Sequence, residues 1–356
     1  MATTRFATEL ARANIRESVQ AALASSPMDA EHVVRAVACG ETERLVRLTD
    51  AVPAELTAAA AAASRVVFPD RARRTSVLAL WKATQVVRIP TGLPGLDHVL
   101  GGGLPPGMVT ELVGLPGAGK TQMCMGLVLE AHALAAKHAL HAELAASQSS
   151  TQAHPAAAAA AAGGKTVYID AEAAFSAFRL VEMARFRYPE VYAGNDEALR
   201  SLTESVLVYS VATSAELVEL LASLEETVIA ESVGLVVVDS VAALARNEFD
   251  RASLPQRQSR LSKQASLLKW LASVFSIPVV VTNHVSKHIA STTDVVPALG
   301  NTWSHAVNIR LVLAALSDTT SQLSVVKSPS APPGLASCYA IGKAGVYPVT
   351  AESGPG

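Results

Sequence analysis

The amino-acid pattern predicts an α/β fold: a mainly parallel sheet flanked by helices, an antiparallel C-terminal edge, and a small all-helical domain ahead of it. Three observations carry that expectation. Residues Gly114, Leu115, Pro116, Gly117, Ala118, Gly119, Lys120 and Thr121 complete the phosphate-binding pattern G-x-x-x-x-G-K-[ST], directly after an apolar run and before a helix-like stretch. From residue 108 onward, short apolar runs alternate with amphipathic segments of helix length, as in a parallel sheet with covered faces. Residues 5–68, by contrast, are rich in Ala, Leu and Val at helical spacing and have no strand pattern.

Taken in order, residues 1–70 form the helical domain, punctuated at Ser25-Ser26-Pro27 and Val52-Pro53. Residues 71–90 read as a linker in which Arg71, Arg73 and Arg74 precede a short apolar segment containing Val77 and Leu80. The core occupies 91–350. Its expected parallel strands are 109–113, 167–170, 206–209, 235–239 and 278–282, followed by antiparallel strands at 309–316, 323–326 and 338–341. Leu261, Ala265, Leu268, Leu271 and Phe275 recur at helical spacing, so the crossover there turns one apolar face to the sheet. Residues 138–164 are Ala, Ser, Gln and His with almost no large apolar residue; with nothing to bury, they read as a mobile surface insertion.

Composition bounds the function. A chain of 356 residues that is 50% hydrophobic builds a substantial core. Its net charge of −2 means that any nucleic-acid contact comes from local basic loops and not from a cationic body. Cys39, Cys124 and Cys338 lack C-x-x-C spacing, which fits a reducing compartment and neither a disulfide framework nor a zinc site. No signal peptide and no bilayer-length apolar run is legible, so the expectation is a soluble intracellular protein without a membrane partner.

The chemistry follows from the phosphate loop. Its glycines let successive N–H groups turn toward a triphosphate, Lys120 supplies charge to the β- and γ-phosphates, and Thr121 offers a hydroxyl to Mg²⁺, with Gln122 next to it. Asp239 ends the apolar strand of residues 235–239 and is expected beside Thr121 as the second metal-holding group. Ser240 follows where many related ATPases place a hydrolytic glutamate, so the base must come from elsewhere. Glu172, two residues past a strand expected to lie next to the phosphate-loop strand, is placed to polarise the attacking water. Asn283 and His284 leave the last parallel strand toward the same crevice as candidate γ-phosphate sensors.

These residues resemble the ATPase core of the RecA-type recombinases, in their eukaryotic branch and nearest the B-type paralogue group of the strand-exchange recombinase. The resemblance rests on Leu93-Pro94-Gly95-Leu96-Asp97 with Gly101-Gly102-Gly103, and on Tyr168-Ile169-Asp170-Ala171-Glu172 with Phe175-Ser176. Two further stretches carry it, Ala298-Leu299-Gly300-Asn301-Thr302-Trp303-Ser304-His305 and Lys327-Ser328-Pro329-Ser330-Ala331-Pro332. It implies a RecA-type P-loop ATPase with ATP and Mg²⁺ as ligands, ATP lying between subunits, and slow, DNA-stimulated hydrolysis. Single- and double-stranded DNA would be met by two loops, the first carrying Arg246, Arg251, Arg257 and Arg260 and the second carrying Lys287. It further implies that Lys327 reaches a neighbour's nucleotide, and that Val77 and Leu80 dock on a heteromeric partner. The partners implied are the C-type recombinase paralogue and other recombinase paralogues, in the nucleus, in homologous recombination and double-strand break repair. Where the family carries glutamine this chain has His284, and its second loop lacks aromatic residues. A nucleotide-bound scaffold and a RecA-fold ATPase without DNA function remain the alternatives.

Overall fold

Leu235–Asp239 is buried at every position, and that run of Leu, Val and Asp sets the plan of the larger part of the molecule: a strand covered on both faces. The computed structural model describes residues 10, 11, 13, 15–25, 33, 37, 42–67, 88–148, 164–248, 254–285 and 299–349. The chain divides into two compact units, 1–85 and 86–356.

The first unit contains helices α1 (Glu17–Ser25), α2 (Thr42–Thr49) and α3 (Pro53–Val67). Pro53 begins α3, where its missing N–H has no intrahelical partner to lose. Leu10, Ile15, Val19, Leu23, Leu45 and Leu56 are buried together with Ala59, Ala62 and Ala63, whose small side chains let the helices approach closely. Arg16 clamps the start of α3, donating from Nε to Glu55 Oε1 at 2.6 Å and from Nη2 to Glu55 Oε2 at 2.7 Å.

In the second unit α4 (Pro94–Val99) precedes β1 (Val109–Gly114), and α5 (Lys120–Gln148) follows the phosphate loop. Then come β2 (Thr166–Asp170), α6 (Ala177–Arg187), α7 (Pro189–Tyr192), α8 (Asp196–Glu204), β3 (Val206–Ser210) and α9 (Ser214–Ala230). Next are β4 (Leu235–Asp239), α10 (Val241–Glu248), α11 (Leu254–Phe275), β5 (Val279–His284) and α12 (Gly300–Ala306). The chain closes with β6 (Ile309–Ala315), β7 (Ser321–Lys327), β8 (Ala336–Gly342) and β9 (Gly345–Pro348). One nine-stranded sheet runs in the order β3-β2-β4-β5-β1-β6-β7-β8-β9, parallel from β3 through β6 and antiparallel from β6 to β9.

The α/β class and the antiparallel edge agree with the sequence; four details do not. β2 does not adjoin the phosphate-loop strand, because β4 and β5 lie between them. Residues 138–148, read as mobile insertion, continue helix α5, as alanine's helix preference allows when a packed helix has already nucleated the turn. Arg257 and Arg260 belong to helix α11 and not to a loop. An additional strand, β9, pairs with β8 beyond the last strand expected.

Candidate nucleotide site

Glycine geometry shapes the loop between β1 and α5. Gly117 and Gly119 adopt φ of 81° and 88°, a region in which a side chain is strained. A Cβ on Gly119 would also stand 2.4 Å from Ile341 Cδ1, so β8 roofs the loop closely. Tyr339 Oη donates to Ala118 O at 2.8 Å from the same strand. Lys120 Nζ donates to Gly114 O and Leu115 O, both at 3.0 Å, which curls the loop around its ammonium group. Burial pushes the Lys120 ammonium down; Asp239 and Glu172 oppose that shift and the Arg246 charge reinforces it.

Thr121, first turn of α5, donates to Asp239 Oδ2 at 2.6 Å, the juxtaposition expected of the two groups. Asp239 is 3% exposed, and it is also met by Tyr168 Oη at 2.9 Å and Thr282 Oγ1 at 2.5 Å. Three hydroxyls therefore fix one carboxylate at the sheet's carboxyl edge. Burial first, then the Cys124 sulfur and the Asp239 and Asp170 carboxylates, push the Tyr168 phenol up, so this hydroxyl stays a donor.

Glu172 sits on a turn that Asp170 builds. Asp170 Oδ1 accepts from Glu172 N and Ala174 N at 3.2 Å, and its Oδ2 accepts from Phe175 N at 3.0 Å. The Phe175 ring stands 4.7 Å from that of Tyr168, pinning the far end of the turn. Although β4 separates β2 from β5, the turn brings Glu172 Oε1 to His284 Nε2 at 2.9 Å and into a short hydrogen bond from Ser240 Oγ. Burial pushes the Glu172 carboxyl up, but the Ser240 and His284 hydrogen bonds outweigh it and hold it below the usual range. Both bonds fall on Oε1, so Oε2 is left for water. Ser240 Oγ in turn accepts from Ala243 N at 3.1 Å, capping α10.

A cleft of about 840 Å³ runs along this edge, lined by Pro116, Glu172, Ser210, Arg246 and His284 among others. Lys120, Thr121, Asp239, Glu172 and His284 thus converge. Asn283 does not: successive strand residues face opposite sides, and its Nδ2 donates to Glu111 Oε1 at 2.7 Å on the other face. Lys327 is engaged within its own chain, donating to Ser304 O at 2.9 Å and Val307 O at 2.6 Å. Gln122 Oε1 accepts from Arg179 Nε at 2.9 Å, and Arg179 also donates to Gly342 O at 2.5 Å. Arg246 lies in the last turn of α10, Arg257 and Arg260 in the first turns of α11. Arg251, Lys287, Val77 and Leu80 lie outside the described residues. Asp170 and Tyr168 stand in the motif that carries the family resemblance but receive no role from the sequence, and Thr282 receives none either; an Asp ending an apolar strand is a turn signal that could have found the first of them.

Over residues 82–349 the chain matches the model of the Rad51 family. The chain belongs to the Rad51 family. Among Rad51-family relatives, human DNA repair protein RAD51 homolog 2 is 37% identical over 270 residues, covering 68% of this chain and 64% of that protein. The chain therefore spans just under two thirds of the human relative's length. The Arabidopsis thaliana protein of the same name is 35% identical, covering 72% of this chain and 68% of its own. RAD51 homolog 2 is the B-type paralogue, in agreement with the resemblance read from the sequence. The crystal structure of the RadB recombinase superposes with a TM-score of 0.55 at 26% identity, covering 74% of this chain and all of that one. No helix among the described residues is long and apolar enough to cross a membrane.

Proposed function

We propose that this chain is a DNA-binding ATPase of the recombinase-paralogue kind, acting in homologous recombination and double-strand break repair. In this reading it assists recombinase filament assembly on single-stranded DNA within a heteromeric complex in the nucleus. The observation that carries it is that Glu172, held by Ser240 and His284, lines the cleft at the sheet's carboxyl edge while its charge and that of Asp239, bonded to Thr121, both act on Lys120.

The donor set suits Mg²⁺ and a triphosphate: a hydroxyl and a carboxylate 2.6 Å apart are hard oxygen ligands. At Gly117 an added Cβ would meet nothing within 4 Å, so the loop is open where a phosphate would lie. Thr121 would hold the ion directly and Asp239 through water; the ion would draw charge from the β- and γ-phosphate oxygens. Lys120 exchanges its two loop carbonyls for phosphate oxygens. Glu172, ionised at neutral pH, orients a water on Oε2 and accepts its proton as the water oxygen bonds to the γ-phosphorus and the bond to the departing ADP breaks. His284, on the far side of Oε1, registers that change and passes it to the segment after β5. Arg246, Arg251, Arg257, Arg260 and Lys287 contact the DNA backbone, and Val77 with Leu80 docks on a C-type paralogue. Lys327, which holds the Ser304 and Val307 carbonyls in the single chain, would exchange them for the phosphate oxygens of a neighbour's nucleotide.

The test is ATP turnover of the full chain, alone and with the C-type paralogue, with and without single-stranded DNA. Glu172→Gln is expected to lower turnover at least about a hundredfold while leaving ATP affinity within a few-fold. Partner assembly that needs Lys120 but ignores Glu172→Gln would favour a nucleotide-bound scaffold. Turnover indifferent to DNA in both preparations would favour an ATPase without DNA function.

A further inference from the structure

Glu111 stands in the middle of β1, fully buried, three residues ahead of the phosphate loop. A carboxylate with no exposure needs every available donor, and three arrive from three different elements. Arg310 Nε, opposite it on β6, donates to Oε2 at 2.5 Å. Trp303 Nε1 on α12 donates to Oε1 at 2.8 Å, and Asn283 Nδ2 at the end of β5 donates to the same oxygen at 2.7 Å. Since a carboxylate only accepts, the Asn283 amide must present its NH₂ there. Arg310 Nη2 also reaches Ser304 Oγ at 3.1 Å, and Lys327 binds the Ser304 and Val307 carbonyls, so α12 is held at its C-terminal end as well.

The topology gives this hub a reach that its burial alone does not explain. Asn283 is the last β5 residue before His284, whose ring touches Glu172 on the opposite face of the sheet. A displacement of His284 by a phosphate therefore moves a backbone whose preceding side chain is bonded to Glu111. Glu111 in turn is bonded through Trp303 to α12, the next described helix after β5. We propose that Glu111 is a positioning residue that joins the phosphate loop, the end of β5 and helix α12 into one unit, so that nucleotide binding at Lys120 and Glu172 is felt at α12. The inference rests on the nucleotide reading above but on neither DNA binding nor hydrolysis.

The test is hydrogen–deuterium exchange of the full chain with and without Mg²⁺ and a non-hydrolysable ATP analogue. In the unmodified protein the analogue slows exchange in the phosphate loop and, by at least about fivefold, in Gly300–Ala306. Trp303→Phe keeps an aromatic ring and removes the Nε1 donor. It is expected to leave the phosphate-loop response and analogue affinity within about twofold while the α12 response falls to less than about twofold, the remainder carried by the Arg310–Ser304 bond. Asn283→Leu cuts the same path at its other end and gives the same loss at α12. A merely structural role would speed α12 exchange in both states and leave the ratio with and without analogue unchanged, which overturns the proposal. So does a wild-type α12 that ignores the analogue while the phosphate loop responds. Absence of any response in the phosphate loop would bring down the nucleotide reading, and the proposal with it.

Discussion

Two polar clusters occupy opposite faces of one sheet, and they differ in what is left over. Around Glu111 every carboxylate oxygen is matched by a donor from the chain itself, and the carboxylate has no exposure. Around Glu172 the side chain is 33% exposed, both bonds crowd onto one oxygen, and the Lys120 and Arg246 cations line or adjoin an open cleft. The same residue types thus serve two ends. A closed cluster positions; an open one retains capacity for a ligand.

Breaking the closed cluster has the largest effect on stability. Arg310→Met strands the Glu111 charge in the core, and loss of one partner of a buried pair costs about 3–5 kcal/mol. Urea denaturation followed by circular dichroism should show the midpoint falling accordingly, with analogue affinity of the folded protein little changed. Replacing both members, Glu111→Leu with Arg310→Met, should recover part of that loss, because no charge is then stranded although the Trp303 Nε1 and Asn283 Nδ2 donors lose their acceptor. If the double variant regains stability yet α12 stays deaf to nucleotide, stability and positioning are separate properties of one cluster. A double variant as unstable as the single one would show that the cluster stabilises beyond its ion pair.

The contrast also explains what could be read from the sequence. The open site was legible because its parts obey local rules: glycines at fixed offsets, an aspartate ending an apolar strand, a glutamate after another. The strands were legible from their apolar runs, except β9, whose Gly-Val-Tyr-Pro is short and ends in proline. Strand order was not, because the apolar face of β2 satisfies β4 as well as it would β1. The closed cluster needed partners that converge from residues 111, 283, 303 and 310, and no spacing rule links them. Its one local signal was a lone glutamate inside an apolar strand, a residue almost never buried unpaired. Asn283 was the avoidable miss: period-two alternation forbids it and His284 from facing the same cleft.

A middle-sized effect tests how the open site keeps its metal-holding carboxylate still. Tyr168→Phe preserves the ring against Phe175 and removes one of three hydroxyl donors to Asp239. A hydrogen bond to a charged group contributes about 1.5–3 kcal/mol, and the two remaining hydroxyls should bring the loss to the lower end. Thermal unfolding should register that loss, and titration with Mg²⁺ should show a modestly higher concentration for half-maximal turnover. Stability unchanged within about 0.3 kcal/mol would mean that the phenol is replaceable by water and that this side of the site is wetter than Asp239's burial implies.

The smallest effect is also the one that separates two roles of a single hydroxyl. Ser240 caps α10 through Ala243 N and holds Glu172 through Oε1, so Ser240→Ala removes a cap and a carboxylate bond together. The cap contributes about 1 kcal/mol at any pH. The bond to Glu172 behaves differently, because it helps hold that carboxyl below its ordinary value. A carboxyl depressed on folding adds stability above its unfolded pKa, and that stability is lost as pH falls through the folded value. Removing Ser240 lets the Glu172 carboxyl rise. Stability should then drop by a constant amount from the cap and by a further small amount present only above the carboxylate range, discounted because the group is a third exposed. The acid limb of ATP turnover should move to higher pH in the same variant. An acid limb that stays in place while stability falls equally at every pH would assign Ser240 to the helix alone, and leave His284 as the group that sets Glu172.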